Sequence, residues 1–506
     1  MKEARPYLIA FSAIVSFLCF PPFPFGPLIF ISLALFFYSI EDLSPRSAFF
    51  YGYLWGLIFH LGLLYYIAWV TVPGMLATVL ILALIPGTAA LIFVKLLSKI
   101  RPMALLFIPS YFLTWNWLLT KSDLNYPWTD FGYALSYFQT LIQAADIAGV
   151  YLISLFIIAV SLLVYASISG QFNLDSRKRN GLRYIAVLIV AIFLVYGHLR
   201  LSQLNRNARD NKGLTIGLIQ GNISKDVKWS PEFLQFSFER YFELSRKAAR
   251  EGAEFLIWPE TALPTYLAQE PQNLARVEAL VDSLNIPLLT GVVYYETVGK
   301  SEYVYYNTAL LFEPGRHDYQ KYFKIHLVPM SEKIPFSERY KILRDIHLGQ
   351  ADFSSGTEQT IFELDGIKFG TLICFESAFP GYAADFIRKG ADFLVVITND
   401  MWFGRTSLFE QHAMMAVFRA IESRVPIVRA ANTGISLSVD KKGSLLAKSG
   451  TFVIDDIVTT IYPESPRTIY DRVGDIIPLC SLIIAIFSLV VAFWRGREYV
   501  KEPYVE

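Results

Sequence analysis

A chain of 506 residues, 54% of them hydrophobic and with a mean hydropathy of +0.40, is too long for one ordinary domain and too apolar to be wholly water-soluble. Its formal net charge of +1 argues against the basic footprint of a nucleic-acid binder. Three cysteines, with no CxxC and no Cys/His cluster, leave no disulfide framework and no zinc-ligand spacing, so neither a metal nor a cofactor is expected.

Apolar runs fall at 7–20, 26–40, 47–70, 74–97, 103–119, 146–169, 182–200 and 477–494. They are apolar all round, not on one stripe, and several approach the ~20 residues that a bilayer requires. They predict about eight transmembrane helices: some seven in an N-terminal bundle over 1–200, and one at 477–494. The first run follows a short charged start and has the outline of a signal peptide. Pro21 and Pro22 follow it instead of a small-residue cleavage site, so it reads as a retained span.

Basic loop residues orient these helices. Lys95, Lys99 and Arg101 follow the fourth run, Arg177, Lys178, Arg179 and Arg183 precede the seventh, and Arg495, Arg497 and Lys501 follow the eighth. With both termini cytoplasmic, all three clusters lie inside and the segment 201–476 lies outside. The basic stretch 200–212 runs against the rule, but long domains translocate largely regardless of charge. The loop at 120–145, also outside, carries Tyr126, Trp128, Tyr133 and Tyr137. These read either as an interfacial aromatic belt or as part of a lipid-entry rim.

From 213 to 462 the texture changes. Short β-branched runs at 214–220, 254–258, 368–373 and 393–397 alternate with helical stretches at 231–251 and 272–284, the pattern of an α/β domain. The stretch from 427 to about 461 reads mostly as strand, with turns at Gly434 and Gly443.

A cysteine nucleophile needs a base, a positive group for the oxyanion, and an exposed or strained seat. Cys374 directly follows an apolar strand, and Glu260 follows another behind Pro259, where partial desolvation would raise a carboxyl toward the range of a general base. Lys324 sits among aromatic and apolar residues, with Glu332 eight positions on. Each alone also fits a structural role: a buried cysteine, a turn carboxylate, a snorkelling lysine. Trp229 and Trp402, each near a strand end, read as apolar lips over an acyl chain or as core.

Taken together and in order, a Trp-Pro-Glu strand end at 258–260, Lys324-x-His-Leu-Val-Pro329, a Cys-Phe-Glu strand end at 374–376, and Asn399-Asp-Met-Trp-Phe-Gly404 resemble the nitrilase (carbon–nitrogen hydrolase) superfamily. Arg419-Ala-Ile-Glu422 and Arg429-Ala-Ala-Asn-Thr-Gly434 fit the same pattern. With the apolar runs on either side and the Pro127-Trp128…Gly132-Tyr133 loop, nearly the whole chain is similar to the apolipoprotein N-acyltransferase family.

The resemblance implies a membrane α-helical bundle of about eight transmembrane helices plus an α/β, nitrilase-like αββα sandwich over 213–462, outside a bacterial cytoplasmic (inner) membrane. It implies a Glu260–Lys324–Cys374 triad, supporting roles for Glu332, Glu376 and the Phe375 position, and acyl or substrate contacts at Trp229, Trp402 and Asn399. It implies ping-pong transfer of an acyl chain from a phospholipid, phosphatidylethanolamine by family, through a Cys374 thioester to the N-terminal amine of diacylglyceryl-cysteine on apolipoproteins. Two positions depart from the family. Phe375 stands where a tyrosine is common, and Val328-Pro-Met-Ser-Glu332 stands where Val-Pro-Phe-Gly-Glu is common, so that turn loses a glycine. The alternative is a membrane-anchored carbon–nitrogen hydrolase, an amidase using the same triad with water. A single anchor would serve it, so the many apolar runs disfavour it. A non-catalytic lipid-binding relic is disfavoured by the intact triad.

Overall fold

Prolines and small polar caps set the helix limits near the N-terminus. The helices are α1 (Arg5–Leu18), α2 (Ile29–Ile40), α3 (Pro45–Leu64), α4 (Val72–Leu82), α5 (Leu84–Lys99), α6 (Arg101–Leu118), α7 (Gln139–Ile142), α8 (Ala145–Ile168) and α9 (Ser176–Arg206). Pro45 and Pro73 open α3 and α4, at positions where a missing N–H is not needed, while Ser44 and Thr71 cap them by accepting from the Ser47 and Gly74 amides. The computed structural model describes residues 4–206, 212–224, 231–299, 302–337, 339–340, 352–464 and 467–498. Two units result, Met1–Gln203 with Val473–Glu506, and Leu204–Arg472.

In the first unit, helices close on one another through small residues. A Cβ on Gly52 would lie 2.6 Å from Ala90 Cβ, and one on Gly56 would lie 2.9 Å from Ala83 Cα, so α3 meets α5 backbone to backbone. Ser12 Oγ donates to Ser32 O and Ser32 Oγ donates to Ser12 O, both at 2.7 Å, joining α1 to α2 where no water competes. The kink at Ala148–Gly149 lies inside α8, whose apolar window is 67% buried; that of α9 is only 11% buried. An apolar helix left bare of protein on nearly every side belongs in hydrocarbon, so α9 faces lipid.

Four stretches are long and apolar enough to cross a membrane: Pro45–Trp69, Val72–Lys99, Ala145–Ile168 and Ser176–Arg206. Arg5–Leu18, Gly26–Ile40 and Ile476–Val491 are apolar but shorter, and α6 carries Pro109 inside it. Length and composition therefore support four spans among the described residues, where the sequence suggested about eight. The aromatic loop also differs from the belt expectation. Trp128 and Tyr133 are buried, Tyr126 stacks on Trp128, and the Tyr66 and Tyr126 hydroxyls lie 3.1 Å apart. Asp130 ties the loop down by accepting from Asn116 Nδ2 (3.0 Å) and Gly132 N (2.9 Å). These rings pack into the unit instead of standing at its rim.

The second unit is a sandwich. One sheet orders its strands β12-β1-β2-β3-β4-β5 and the other β11-β10-β9-β8-β7-β6. The strands are β1 (Leu214–Gln220), β2 (Phe255–Ile257), β3 (Leu288–Val298), β4 (Glu302–Phe312), β5 (Gln320–Phe323), β6 (Ile361–Leu364), β7 (Ile367–Ile373), β8 (Phe393–Thr398), β9 (Ile427–Ala431), β10 (Leu437–Val439), β11 (Leu445–Lys448) and β12 (Asp455–Ile461). Helices α10 (Pro231–Arg250) and α11 (Pro271–Leu284) flank the first sheet, and α12 (Pro380–Arg388) and α13 (Leu408–Ser423) the second. The inner faces meet through pairs such as Phe255 and Phe369, with ring centroids 5.4 Å apart. α14 (Ile469–Val473) and α15 (Ile476–Glu498) end the described chain.

Strands β1, β2 and β3 run parallel in the first sheet, and β7, β8 and β9 run parallel in the second. Each set gathers its carboxyl ends on one edge, and there the chemistry-bearing residues collect.

Candidate active site

Glu260 follows β2 by way of Trp258 and Pro259. Trp258 is buried, stacks on Tyr241 and donates from Nε1 to Ser245 Oγ at 2.9 Å. The turn then docks on β3: Gly291 N donates to Pro259 O and Ala262 N donates to Gly291 O. A Cβ at Gly291 would sit 2.5 Å from Glu260 Cα, so only glycine allows this approach. The carboxylate so held is buried. Oε1 accepts from Asn307 Nδ2 (2.7 Å), and Oε2 accepts from the backbone N–H of Asn399 (2.8 Å).

Lys324 leaves β5 with its N–H bound to Asn307 O and its side chain 1% exposed. Its Nζ lies 2.9 Å from Glu332 Oε1, 2.8 Å from Oε2, and 3.6 Å from Glu260 Oε1. Asn307 Nδ2 also donates to Glu332 Oε1 at 3.0 Å, so one amide and one ammonium join both carboxylates. Burial raises the Glu260 carboxyl above its usual value, and Glu332 adds to this, while Lys324 and Asn307 oppose it. Burial alone would lower the Lys324 ammonium, but Glu332, Glu260 and Cys374 outweigh it and hold it charged.

The turn before Glu332 closes without the glycine common in similar sequences. Met330, not Ser331, takes the left-handed φ of +64°, and Met330 N donates to Lys333 O. Val328 N donates to Glu332 Oε2 at 2.8 Å, which fixes the carboxylate to its own loop.

Cys374 begins a short 3-10 turn directly after β7, with φ +53°. For a side chain other than glycine that backbone costs about 1 kcal/mol or more. Burial pushes its thiol well above the usual range, with Glu260 and Asp400 adding to this and Lys324 and Thr398 opposing it, so the resting group is a thiol that needs a base. Glu376, two residues on, straps the site together. Its Oε1 accepts from Tyr322 Oη (2.7 Å), Ile325 N (2.8 Å) and His326 N (3.1 Å), and its Oε2 from Ile373 N (2.8 Å). One carboxylate thereby locks the segment after Lys324 to the segment before Cys374. Its burial raises it to about 7 against the pull of those donors. Phe375 is buried and packs edge-on against Phe379, an apolar contact at the position where a hydroxyl is common in similar sequences.

Asn399 presents its backbone N–H, not its side chain, to Glu260; its Oδ1 accepts from Asn432 Nδ2 at 3.1 Å. Trp402 and Phe403 follow Asp400 in a short 3-10 turn and are half-buried. Trp229 lies outside the described residues. Cys374, Asp400 and His412 each have a ligand-type atom within 4.8 Å of the others. Asp400 is already engaged: its Oδ2 accepts from Arg429 Nη2 at 2.5 Å and its Oδ1 lies 2.9 Å from His412 Nδ1. A divalent cation would there meet the Arg429 guanidinium, so these three do not fit a metal centre.

Four residues of this site carried no role in the sequence reading: Asn307, Asp400, His412 and Arg429. A signal existed for two. Asn307 is polar within an apolar stretch, and Arg429 is a charge inside the apolar run 427–431. A buried polar side chain needs a partner, so each announces a nearby acceptor.

The sequence pattern of carbon–nitrogen hydrolases matches residues 215–468, and that of the apolipoprotein N-acyltransferase N-terminal domain matches residues 12–163. An apolipoprotein N-acyltransferase of Geobacter metallireducens is 33% identical over 97% of this chain and 96% of its own length. The chain belongs to the apolipoprotein N-acyltransferase family. One from Chlorobaculum tepidum is 29% identical over 94% of each chain. Among solved structures, Nit3 of Saccharomyces cerevisiae, a nitrilase-superfamily member, is 21% identical with a TM-score of 0.38, covering 52% of this chain and 95% of its own. The protein is thus an acyltransferase of the nitrilase superfamily, carried on apolar helices of membrane-spanning length.

Proposed function

We propose that this enzyme moves an acyl chain from phosphatidylethanolamine to the α-amine of diacylglyceryl-cysteine on apolipoproteins, with Cys374 as nucleophile, Glu260 as base and Lys324 as oxyanion partner. The observation that carries this reading is the buried Glu260–Lys324–Glu332 cluster held by Asn307.

In the first half-reaction Glu260 takes the Cys374 proton as sulfur attacks the ester carbonyl. Lys324 stabilises the tetrahedral oxyanion. Protonated Glu260 gives its proton to the departing alkoxide, leaving a thioester and a lysophospholipid. In the second, the lipoprotein amine attacks the thioester, Glu260 accepts the amine proton, and the thiolate leaves and is reprotonated. Glu332 keeps Lys324 aimed and charged throughout. Trp402 and Phe403 shield the thioester from water, without which the enzyme would act as a lipase. The apolar helices bring both lipid substrates to the site by lateral diffusion. In this reading the chain crosses the bacterial inner membrane eight times, the shorter apolar helices included. Both termini are cytoplasmic and the catalytic unit is periplasmic.

Incubating the purified enzyme with phosphatidylethanolamine vesicles alone should leave an acyl mass on the Cys374 peptide, released by hydroxylamine as a thioester is. Absence of the adduct in enzyme that turns over fully once a lipoprotein acceptor is added would sink the ping-pong scheme. The pH profile supplies a second check. A general base must be ionised to act, and Glu260 is raised above the ordinary glutamate value of 4.5. Thioester formation should therefore fall, as pH is lowered, on an acid limb above that value. A limb at or below it would assign the proton to another group.

A further inference from the structure

Beside Cys374, with its sulfur within 4.8 Å of ligand-type atoms of Asp400 and His412, lies a second polar assembly made of α13, β9 and the turn after β8. Asp400, His412 and Arg429 are all buried, none more than 2% exposed. Arg429 Nη2 donates to Asp400 Oδ2, and Thr398 Oγ1 donates to Asp400 Oδ1 at 3.0 Å. Burial alone would raise the Asp400 carboxyl, but Arg429 and His412 outweigh it and hold it well below the carboxylate range, so it is a fixed anion. His412 Nδ1 lies 2.9 Å from Asp400 Oδ1 and 3.1 Å from Arg429 Nη2. His412 Nε2 lies 3.1 Å from the main-chain oxygen of Cys374 and 2.9 Å from Ser377 Oγ, and Ser377 Oγ itself donates to that same oxygen at 2.9 Å.

The contacts assign the ring proton to Nε2, because Arg429 Nη2 lies 3.1 Å from Nδ1 and can only donate to it. A bare ring nitrogen 3.1 Å from a carbonyl oxygen would set lone pair against lone pair, whereas Nε2–H makes a hydrogen bond. Nδ1 then accepts from Arg429 Nη2, while Arg429 Nη2 and Thr398 Oγ1 meet the Asp400 carboxylate. The assembly therefore grips the Cys374 carbonyl with two donors.

We propose that His412 is a positioning residue for acyl transfer, its Nε2–H holding the Cys374 carbonyl so that the next amide N–H is aimed at the oxyanion. The 374–375 peptide is trans, since the cis bond in the described chain is Pro21–Pro22. In a trans peptide the C=O and N–H point in opposite directions. A carbonyl anchored on His412 and Ser377 turns the Phe375 N–H away from them. That N–H becomes the backbone partner of Lys324 in stabilising the tetrahedral intermediate. The same anchor maintains the left-handed φ of +53° at Cys374, which the backbone would otherwise relax. The inference rests on the thioester chemistry proposed above.

The test compares two near-isosteric variants of the full-length enzyme. His412→Gln keeps an N–H donor near the Nε2 position, while His412→Asn keeps a partner for Asp400 but cannot reach the Cys374 carbonyl. With phosphatidylethanolamine vesicles and a lipoprotein acceptor, His412→Asn should lower kcat about tenfold to hundredfold with KM unchanged, as a misaimed oxyanion donor does. His412→Gln should retain most of kcat. Alkylation of Cys374 by iodoacetamide, a displacement with no oxyanion, should proceed at the wild-type rate in both. Equal kcat in the two variants, or alkylation slowed as much as acyl transfer in His412→Asn, would overturn the proposal. Absence of any Cys374 thioester in the wild-type enzyme would instead overturn the reaction on which it rests.

Discussion

Replacing Cys374 with alanine should abolish acyl transfer, by on the order of 10⁶-fold, while the protein still inserts and folds. Alanine is the right substitute because it carries a Cβ. The left-handed φ of +53° then costs the same as for cysteine, whereas glycine would relax the turn and confuse loss of sulfur with loss of geometry. Cys374→Ser should fail almost as completely, since a hydroxyl is far harder than a thiol for the Glu260 carboxylate to deprotonate. Neither variant breaks a strong bond, so thermal unfolding should change little. Acyl transfer to a lipoprotein acceptor, measured beside the melting curve, separates the outcomes. Activity remaining in Cys374→Ala would remove the covalent mechanism altogether.

Lys324→Met should cost both activity and stability. Methionine fills much the same space, but it leaves the Glu260 and Glu332 carboxylates in a buried pocket without their cation. Breaking a buried ion cluster by removing one partner costs about 3–5 kcal/mol, because the remaining charges stay desolvated. The sign with pH follows. Without Lys324, Glu260 loses the main group that opposes its burial, so its folded-state value rises further above 4.5. A group raised in the folded state favours folding at low pH, and that contribution is lost as pH climbs through the raised value. The Lys324→Met domain should therefore regain stability on acidification, where wild type does so less. Adding Glu332→Gln to Lys324→Met should restore part of the stability and none of the activity. Recovery of acyl transfer in that double variant would show that Lys324 serves only to balance charge.

The chemistry of the catalytic unit was legible wherever one residue type stood at the end of one apolar run. Glu260 and Cys374 each close a β-branched strand, and a strand of a parallel sheet presents its carboxyl end to the site, so local sequence placed them. Lys324 was legible by its apolar company. Glu376 stood out only by family resemblance. Its work, accepting four hydrogen bonds that tie the Lys324 segment to the Cys374 segment, depends on where residues 322–326 arrive in space. Asn399 was legible as a position but not as a backbone donor, because main-chain contacts leave no mark on residue type.

Membrane insertion was written into the chain by hydropathy alone, since a long apolar helix has no other stable environment. The number and boundaries of the crossings were not, because residues such as Pro109 and the break near Ala83 divide apolar runs without changing their composition. Burial of the 120–145 aromatics was likewise undecided: a tryptophan at an interface and one in a core have the same sequence signature. What the sequence offered by itself was the candidate set of reactive residues and the lipid setting, because nucleophile, base, cation and hydropathy are properties of single side chains or short runs. What only the tertiary structure decided was the support behind them. Asn307 joins two carboxylates from separate loops, and Asp400, His412 and Arg429 converge from the turn after β8, from α13 and from β9 beside Cys374. These contacts form because β7, β8 and β9 lie side by side, and strand order is set by packing, not by any pattern local to the residues that meet.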